Sequence, residues 1–246
     1  MMRMIQPLTT SELLTVWERG RAQSPLQRTL LILAAAAPTM SRADLAALPL
    51  GQRDRWMLDV REWTFGSVMN SVATCPHCGE RLQLTFATAD VRTPSITLVA
   101  VDLALHVGEY TLQLRLPTSA DLLAVISDGA TARRVLVQRC ILEGRCNGEV
   151  VIVDTLPPDV ETAIVQRLAD ADPQADVQLQ LHCPACTGHW LAAFDIGAFF
   201  WHELETWAAR IIGEVHILAA TYGWSEAAIL DLSPWRRRLY LERIGR

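Results

Sequence analysis

The chain has 246 residues, 50% of them hydrophobic and 20% charged, with a formal net charge of −5 at pH 7. There is ample apolar material for one large domain or two small ones, and the acidic balance argues against a general phosphate-binding surface. No apolar run approaches the roughly 18 residues that span a bilayer, and MMRMIQPLTTSELL lacks an apolar core followed by a small-residue cleavage site, so no membrane association is expected and a cytoplasmic location is.

Residues 1–70 read as helical. Thr9, Thr10 and Ser11 offer caps before ELLTVWERG, where Leu13, Leu14 and Trp17 share a face, and LQRTLLILAAAA follows. In GQRDRWMLDVREWTFG, the residues Trp56, Met57, Val60, Trp63 and Phe65 form an apolar stripe opposite charges, the pattern of a core-facing helix. Residues 71–90 carry the turn TCPHCGE and then ERLQLTF, whose alternation of Leu82, Leu84 and Phe86 with polar residues predicts a half-buried strand.

The stretch 91–175 opens on ITLVAVDLALHVGEYTLQLRLP, two alternating runs broken at His106–Glu109, which predicts a β-hairpin turning at Gly108. Thr118 or Ser119 caps a helix through DLLAVISDG, TARRVLVQRCIL continues as helix, and Pro157 or Pro158 starts another through VETAIVQRLADAD. Residues 176–195 hold two more short strands, DVQLQLHC and HWLAAF, around the turn HCPACTGHW. From 196 to 246 the chain is helical again. Phe200, Leu204, Trp207, Ile211, Val215, Leu218 and Tyr222 recur at steps of three and four along one face, Gly223 is placed as a C-cap, and Ser225 and Ser233-Pro234 start two further helices.

Six cysteines occur, at positions 75, 78, 140, 146, 183 and 186. Cytosolic thiols stay reduced, so metal binding is favoured over a disulfide framework. Each Cys-Pro-x-Cys turn presents two thiolates on one side, and two such turns complete a closed tetrahedral site for structural Zn2+ from Cys75, Cys78, Cys183 and Cys186. The spacing is unusual, because 104 residues (79–182) separate the pairs. It predicts a zinc ribbon split in sequence and joined in space, one metal per chain, with a subdomain inserted between its halves. His77, His182 and His189 stand nearby as alternative ligands. Cys140 reads as a buried small hydrophobe in a helical run and Cys146 as a residue of a Gly-bounded loop. The expected fold class is therefore α+β and mainly helical: a helical region 1–70, a split ribbon (71–90 and 176–195), an inserted hairpin plus helices (91–175) and a helical region 196–246.

Other motifs argue against catalysis. His202-Glu-Leu-Glu-Thr206 begins like HExxH, but Thr206 stands where the second imidazole is required. Asp170, Asp172 and Asp176 read as loop and cap residues, because a Ca2+ loop needs another order with a central Gly. No phosphate-cradling Gly loop, nucleophile elbow or acid/base pair is found, so neither an enzyme nor a small-molecule substrate is expected. All 22 basic residues are Arg. That bias reflects GC-rich coding more than nucleic-acid binding, and the run Arg236–Arg238 beside Trp235 reads better as a solvated face or the rim of a protein interface.

LPTSADLL, ADPQADVQLQLHCPAC, FDIGAFFWHELETWA and EVHILAATYGWSEAAILDLSPWRRRLYLE, with ELLTVWERGRAQSPLQRTLLILAAAAP and CPHCG before them, together resemble the bacteriophage T4-type baseplate hub assembly chaperone family. Its members also occur in gene clusters for contractile tails and related injection systems, and the terminal YGWSEAAILDLSPWRRRLYLE is the most specific element of the likeness. The resemblance implies a non-enzymatic factor that helps baseplate hub or spike proteins assemble, with an integral baseplate subunit and a zinc-ribbon nucleic-acid binder as alternatives. Under that reading the C-terminal helices contact the client, with Trp224, Trp235, Arg236, Arg237, Arg238 and Tyr240 as anchors, since aromatic and Arg side chains dominate interface energies.

Overall fold

Four of the helices start on a reciprocal cap written in the sequence: the hydroxyls of Thr9, Ser24, Ser41 and Thr118 accept the backbone N–H three residues on, and the side chains of Glu12, Gln27, Asp44 and Asp121 reach back to the cap. A computed structural model describes residues 5–94, 103–150 and 156–244. In chain order these form α1 (Thr10–Gly20), α2 (Pro25–Ala36), α3 (Arg42–Ala46), α4 (Leu50–Phe65), β1 (Val68–Thr74), β2 (Arg81–Ala87), β3 (Leu103–Val107), β4 (Tyr110–Leu114), α5 (Ser119–Val125), α6 (Ala132–Arg139), β5 (Ile141–Cys146), β6 (Glu149–Val150), α7 (Pro158–Ala171), β7 (Val177–His182), β8 (His189–Phe194), α8 (Ile196–Tyr222), α9 (Glu226–Leu230) and α10 (Pro234–Ile244). The described chain mixes helix with small antiparallel sheets, and it divides into two units, Met1–Thr39 with Ile196–Arg246, and Met40–Asp195. Among the described residues no helix is long and apolar enough to cross a membrane.

The first unit is built on α8. Phe200, Trp201, Leu204, Ala208, Ile211 and Leu218 recur at helical spacing and are buried, with Leu14 of α1 against Ala208 and Ile211. Tyr222, placed by periodicity on the same face, is 38% exposed. Gly20 is required where it stands, because a Cβ there would enter the ring of Trp201, and Arg28 lies over the same ring at 4.6 Å.

In the second unit α4 buries Met57, Leu58, Val60 and Arg61, whereas Trp63, placed by sequence on the apolar stripe, is 38% exposed. Arg61 is buried because its guanidinium donates to the carbonyls of Gly66 (2.6 Å) and Val68 (2.8 Å), fixing the exit from the helix into β1. Pro49 gives α4 no side-chain cap; the carboxylate of Asp172 accepts from Gly51 N–H at 2.8 Å instead, from 121 residues away. Beside it, the amide of Gln174 accepts from Thr93 N–H (2.9 Å) and donates to the Val91 carbonyl (3.0 Å).

The insertion is more β-rich than its sequence suggests. The expected hairpin is present as β3–β4 with Gly108 at φ 55°, though its residues 95–102 lie outside the described ones. The expected continuation of helix through VLVQRCIL ends at Arg139, and Ile141–Cys146 is a strand that completes the order β3-β4-β5-β6. β4 selects it: Leu112 faces Gly144 and Tyr110 faces Cys146, so Cys146 belongs to a strand and not to a loop. Leu103, Leu112 and Leu114 pack with Val160 and Ile164 of α7.

Candidate metal centre

The register of β1 with β2 ends at Thr74↔Arg81, and that of β7 with β8 at His182↔His189. Each hairpin therefore closes on a six-residue turn, CPHCGE and CPACTG, and the two are built alike. Cys75 N–H donates to the Glu80 carbonyl (2.8 Å) and Gly79 N–H to the Cys75 carbonyl (2.9 Å); Cys183 N–H donates to Gly188 (2.9 Å) and Thr187 N–H to Cys183 (2.8 Å). The fifth residue of each turn is left-handed, Gly79 at φ 77° and Thr187 at φ 57°. Glycine takes that conformation freely, whereas a β-branched Thr is strained there.

The turns meet. Cys75 Sγ lies 3.7 Å from Cys186 Sγ and Cys78 Sγ lies 3.6 Å from Cys183 Sγ, so each close approach joins one hairpin to the other. All four sulfurs fall within 4.8 Å of one another. A tetrahedral ion with metal–sulfur bonds of about 2.3 Å requires sulfur–sulfur edges of about 3.8 Å, and a disulfide would require about 2.05 Å. The donor set fits a four-coordinate soft or borderline metal and leaves no coordination position for water. Cys75 and Cys183 are buried, Cys186 is half-buried and Cys78 exposed, so the site lies across the hairpin tips with its inner edge sealed.

The packing around the sulfurs is specific. A Cβ on Gly188 would lie 2.6 Å from Cδ2 of His77, so glycine is needed for the first turn to lean on the second. His182 and His189 meet across their strand pair at 4.6 Å with their rings tilted by 42°, and Phe86 meets Phe194 edge-on at 5.6 Å. The alternating residues Leu82, Leu84, Phe86, Val177, Leu179 and Leu181 are half-buried.

Four thiols this close cannot all ionise without a cation. Burial pushes the Cys75 thiol up, but donation from the backbone N–H groups of His77 and Cys78 and from neighbouring thiols outweighs it and brings the group down to about 6. Cys78 is lowered by the backbone N–H of Glu80, yet Cys186, burial, Cys183 and Cys75 together push it up to about 12. One thiolate forms readily and the next is opposed, an imbalance that a bound divalent cation removes. Cys140 is buried within the insertion at the end of α6, where burial pushes it up to about 11, and Cys146 lies beside Glu109; neither joins the cluster.

The C-terminal residues singled out by sequence have three different environments. Trp224 stacks on Tyr222 (4.7 Å) and meets Tyr240 edge-on (4.8 Å), which ties α8 to α10. Trp235 is 67% exposed, and Arg236 and Arg238 are exposed. Arg237 is a correction to the expected set of surface anchors. It is 2% exposed, donating to Glu214 (3.1 Å) and to the Leu232 carbonyl (2.8 Å), and so it holds α10 onto α8. Sequence reasoning missed β1, Gly188 and the long-range cap by Asp172; only the tip glycine had a local signal, since it takes the place of Glu80 in the repeated turn.

A family model described as T4 bacteriophage base plate protein matches residues 23–201, a span holding both cysteine turns and the whole second unit. The terminal YGWSEAAILDLSPWRRRLYLE lies beyond the matched residues. No curated protein and no solved structure matches the chain.

Proposed function

We propose, from the premise that the chain belongs to the T4 bacteriophage base plate protein family, that it is a non-enzymatic assembly factor for the baseplate hub of a contractile phage tail or tail-like injection system. The family match across 23–201 carries this reading. Membership makes it a baseplate-related protein; the chaperone role, the hub or spike clients and action in the cytoplasm are the finer part of the proposal.

In this reading Cys75, Cys78, Cys183 and Cys186 hold one structural Zn2+, and the paired hairpins act as a zinc ribbon split by the insertion. The sulfur spacing near the tetrahedral edge supports the metal, and thiolate softness together with a closed four-coordinate shell supports zinc. Bound there, the ion supplies a cross-link and no chemistry. The chain's own residues position it: the backbone turns aim the sulfurs, Gly188 admits His77, and the Phe86–Phe194 contact spaces the hairpins.

An integral baseplate subunit is the second reading, favoured by the same family match. Deleting the chain from a producing strain, with re-expression as control, tests the role. The proposal expects hub-less, non-assembled tails restored by re-expression; normal tail yield in the deletion strain would overturn it.

A further inference from the structure

The run Arg236-Arg-Arg238 splits in space. Helical geometry turns each residue by about 100°, so with Arg237 facing inward against Glu214, the half-buried Tyr240 and Leu241 flank it on the same side, while Ile244 at the helix end is 36% exposed. Trp235 and Leu239, four residues apart, then share the opposite face, 67% and 39% exposed. Arg236 and Arg243 border that apolar ridge on one side and Arg238 on the other, with Glu242 between Arg238 and the ridge. Among the described residues these three arginines have no carboxylate or carbonyl partner, in contrast to Arg237. A basic-rimmed aromatic ridge thus stands on a chain whose net charge is −5.

We propose that this α10 face docks a client protein surface in which an apolar pocket is ringed by Asp and Glu carboxylates, the pocket taking Trp235 and Leu239 and the carboxylates pairing with Arg236, Arg238 and Arg243. The inference rests on the assembly-factor reading and names the chemistry of its partner. Charge complementarity selects an acidic occupant: three unpaired guanidinium groups on one short helix repel a basic surface and each offers a fork to a carboxylate. A nucleic acid is the poorer fit. Its phosphates need cations along an extended track, whereas these lie within about 16 Å on a single helix, next to Glu242, in an acidic chain. A second copy meeting this one across a two-fold axis at α10 would bring its own basic ridge toward it.

The test places the photo-cross-linking residue p-benzoylphenylalanine at position 235 of the full chain in a tail-producing strain, with Leu191, an exposed residue of β8, as a second position. The result expected is a cross-link from 235 to a tail protein, at a segment where apolar residues are flanked by Asp or Glu. Binding of that purified protein should weaken at least about 30-fold with Trp235→Ala, as for an interface hot spot, and by at least about tenfold with Arg238→Glu, which should also flatten the salt dependence. Far-ultraviolet circular dichroism of both variants should be unchanged. No cross-link from 235, a cross-link to nucleic acid or to a segment without carboxylates, or unchanged affinity in both variants would overturn the proposal. A tail protein captured from 191 and none from 235 overturns this surface and leaves the assembly role standing, whereas normal tails from the deletion strain overturn the assembly role itself.

Discussion

Replacing Cys183 with Ser removes one of the four sulfurs, the one lying 3.6 Å from Cys78, and should release the metal's hold on two segments separated by 104 residues. The magnitude follows from the chain closed between them. Tying off a loop of about 100 residues lowers the entropy of the unfolded chain by roughly 4–5 kcal/mol in the loop-closure treatment. That is a large share of the roughly 5–15 kcal/mol by which domains are stable, and for a unit of this size it corresponds to a fall in Tm on the order of 10–15 °C. The assay is thermal unfolding by circular dichroism with metal content by mass spectrometry, comparing wild type, Cys183→Ser and the control Cys146→Ser, whose half-buried thiol lies outside the cluster. The reasoning predicts close to one zinc per chain in wild type and in the control, and little zinc with a Tm lowered by that amount in Cys183→Ser. Chelation should reproduce the loss in wild type and leave the variant unmoved. A metal-free wild type, or a Cys183→Ser variant within about 1 kcal/mol of it, would refute the staple, because a cross-link of this span cannot be energetically silent.

Gly188→Ala should lower stability by about 1–3 kcal/mol through the collision with His77, and His77→Ala should relieve most of that loss; additive effects in the double variant would remove the argument from close approach. Asp121, 2% exposed and gripped by Arg115 (2.6 Å) and Arg139 (2.9 Å), has its carboxyl held well below the usual carboxylate range, first by the Arg115 hydrogen bond, against the opposing effect of burial. Its folded-state value is depressed, so its contribution is full above the ordinary carboxylate pKa near 4 and is lost as pH falls below it. Asp121→Asn should therefore cost about 2–4 kcal/mol at pH 7, and the gap from wild type should narrow progressively in denaturant titrations as pH falls below about 4; a pH-independent gap would contradict the assignment. Arg237→Ala should destabilise by about 2–4 kcal/mol by removing the buried guanidinium that bridges Glu214 and the Leu232 carbonyl, leaving Glu214 only the longer pair with Arg210 (3.8 Å), while Arg236→Ala and Arg238→Ala stay within about 0.5 kcal/mol, as calorimetry would show.

What could be read in advance was mostly local. The caps at Thr9, Ser24, Ser41 and Thr118 and the Cys-Pro-x-Cys turns are complete within a few residues, so their geometry follows from short-range chemistry. The clustering of Cys75, Cys78, Cys183 and Cys186 was legible because an isolated pair of thiolates is an incomplete shell, whereas the close approach of Cys75 to Cys186 and of Cys78 to Cys183 is set by how the hairpins pack. The strand Ile141–Cys146 was hidden, since VLVQRCIL satisfies a helical period and only its partner β4 distinguishes strand from helix. Asp172 looked like a local cap and instead caps α4 across 121 residues, a link no spacing rule contains. In the run Arg236–Arg238, composition marked all three as surface anchors; the phase of the helix, set by Tyr240 against Trp224 and by Glu214, turns the middle one inward.

The most direct test of the assembly-factor account is quantitative mass spectrometry of this chain in purified, finished contractile particles against the lysate of the cells that made them. The account predicts that the chain is abundant in the lysate and depleted from the particle far below the stoichiometry of the baseplate proteins. Presence in the particle at a fixed, stoichiometric ratio would contradict it and make the chain a structural subunit of the baseplate.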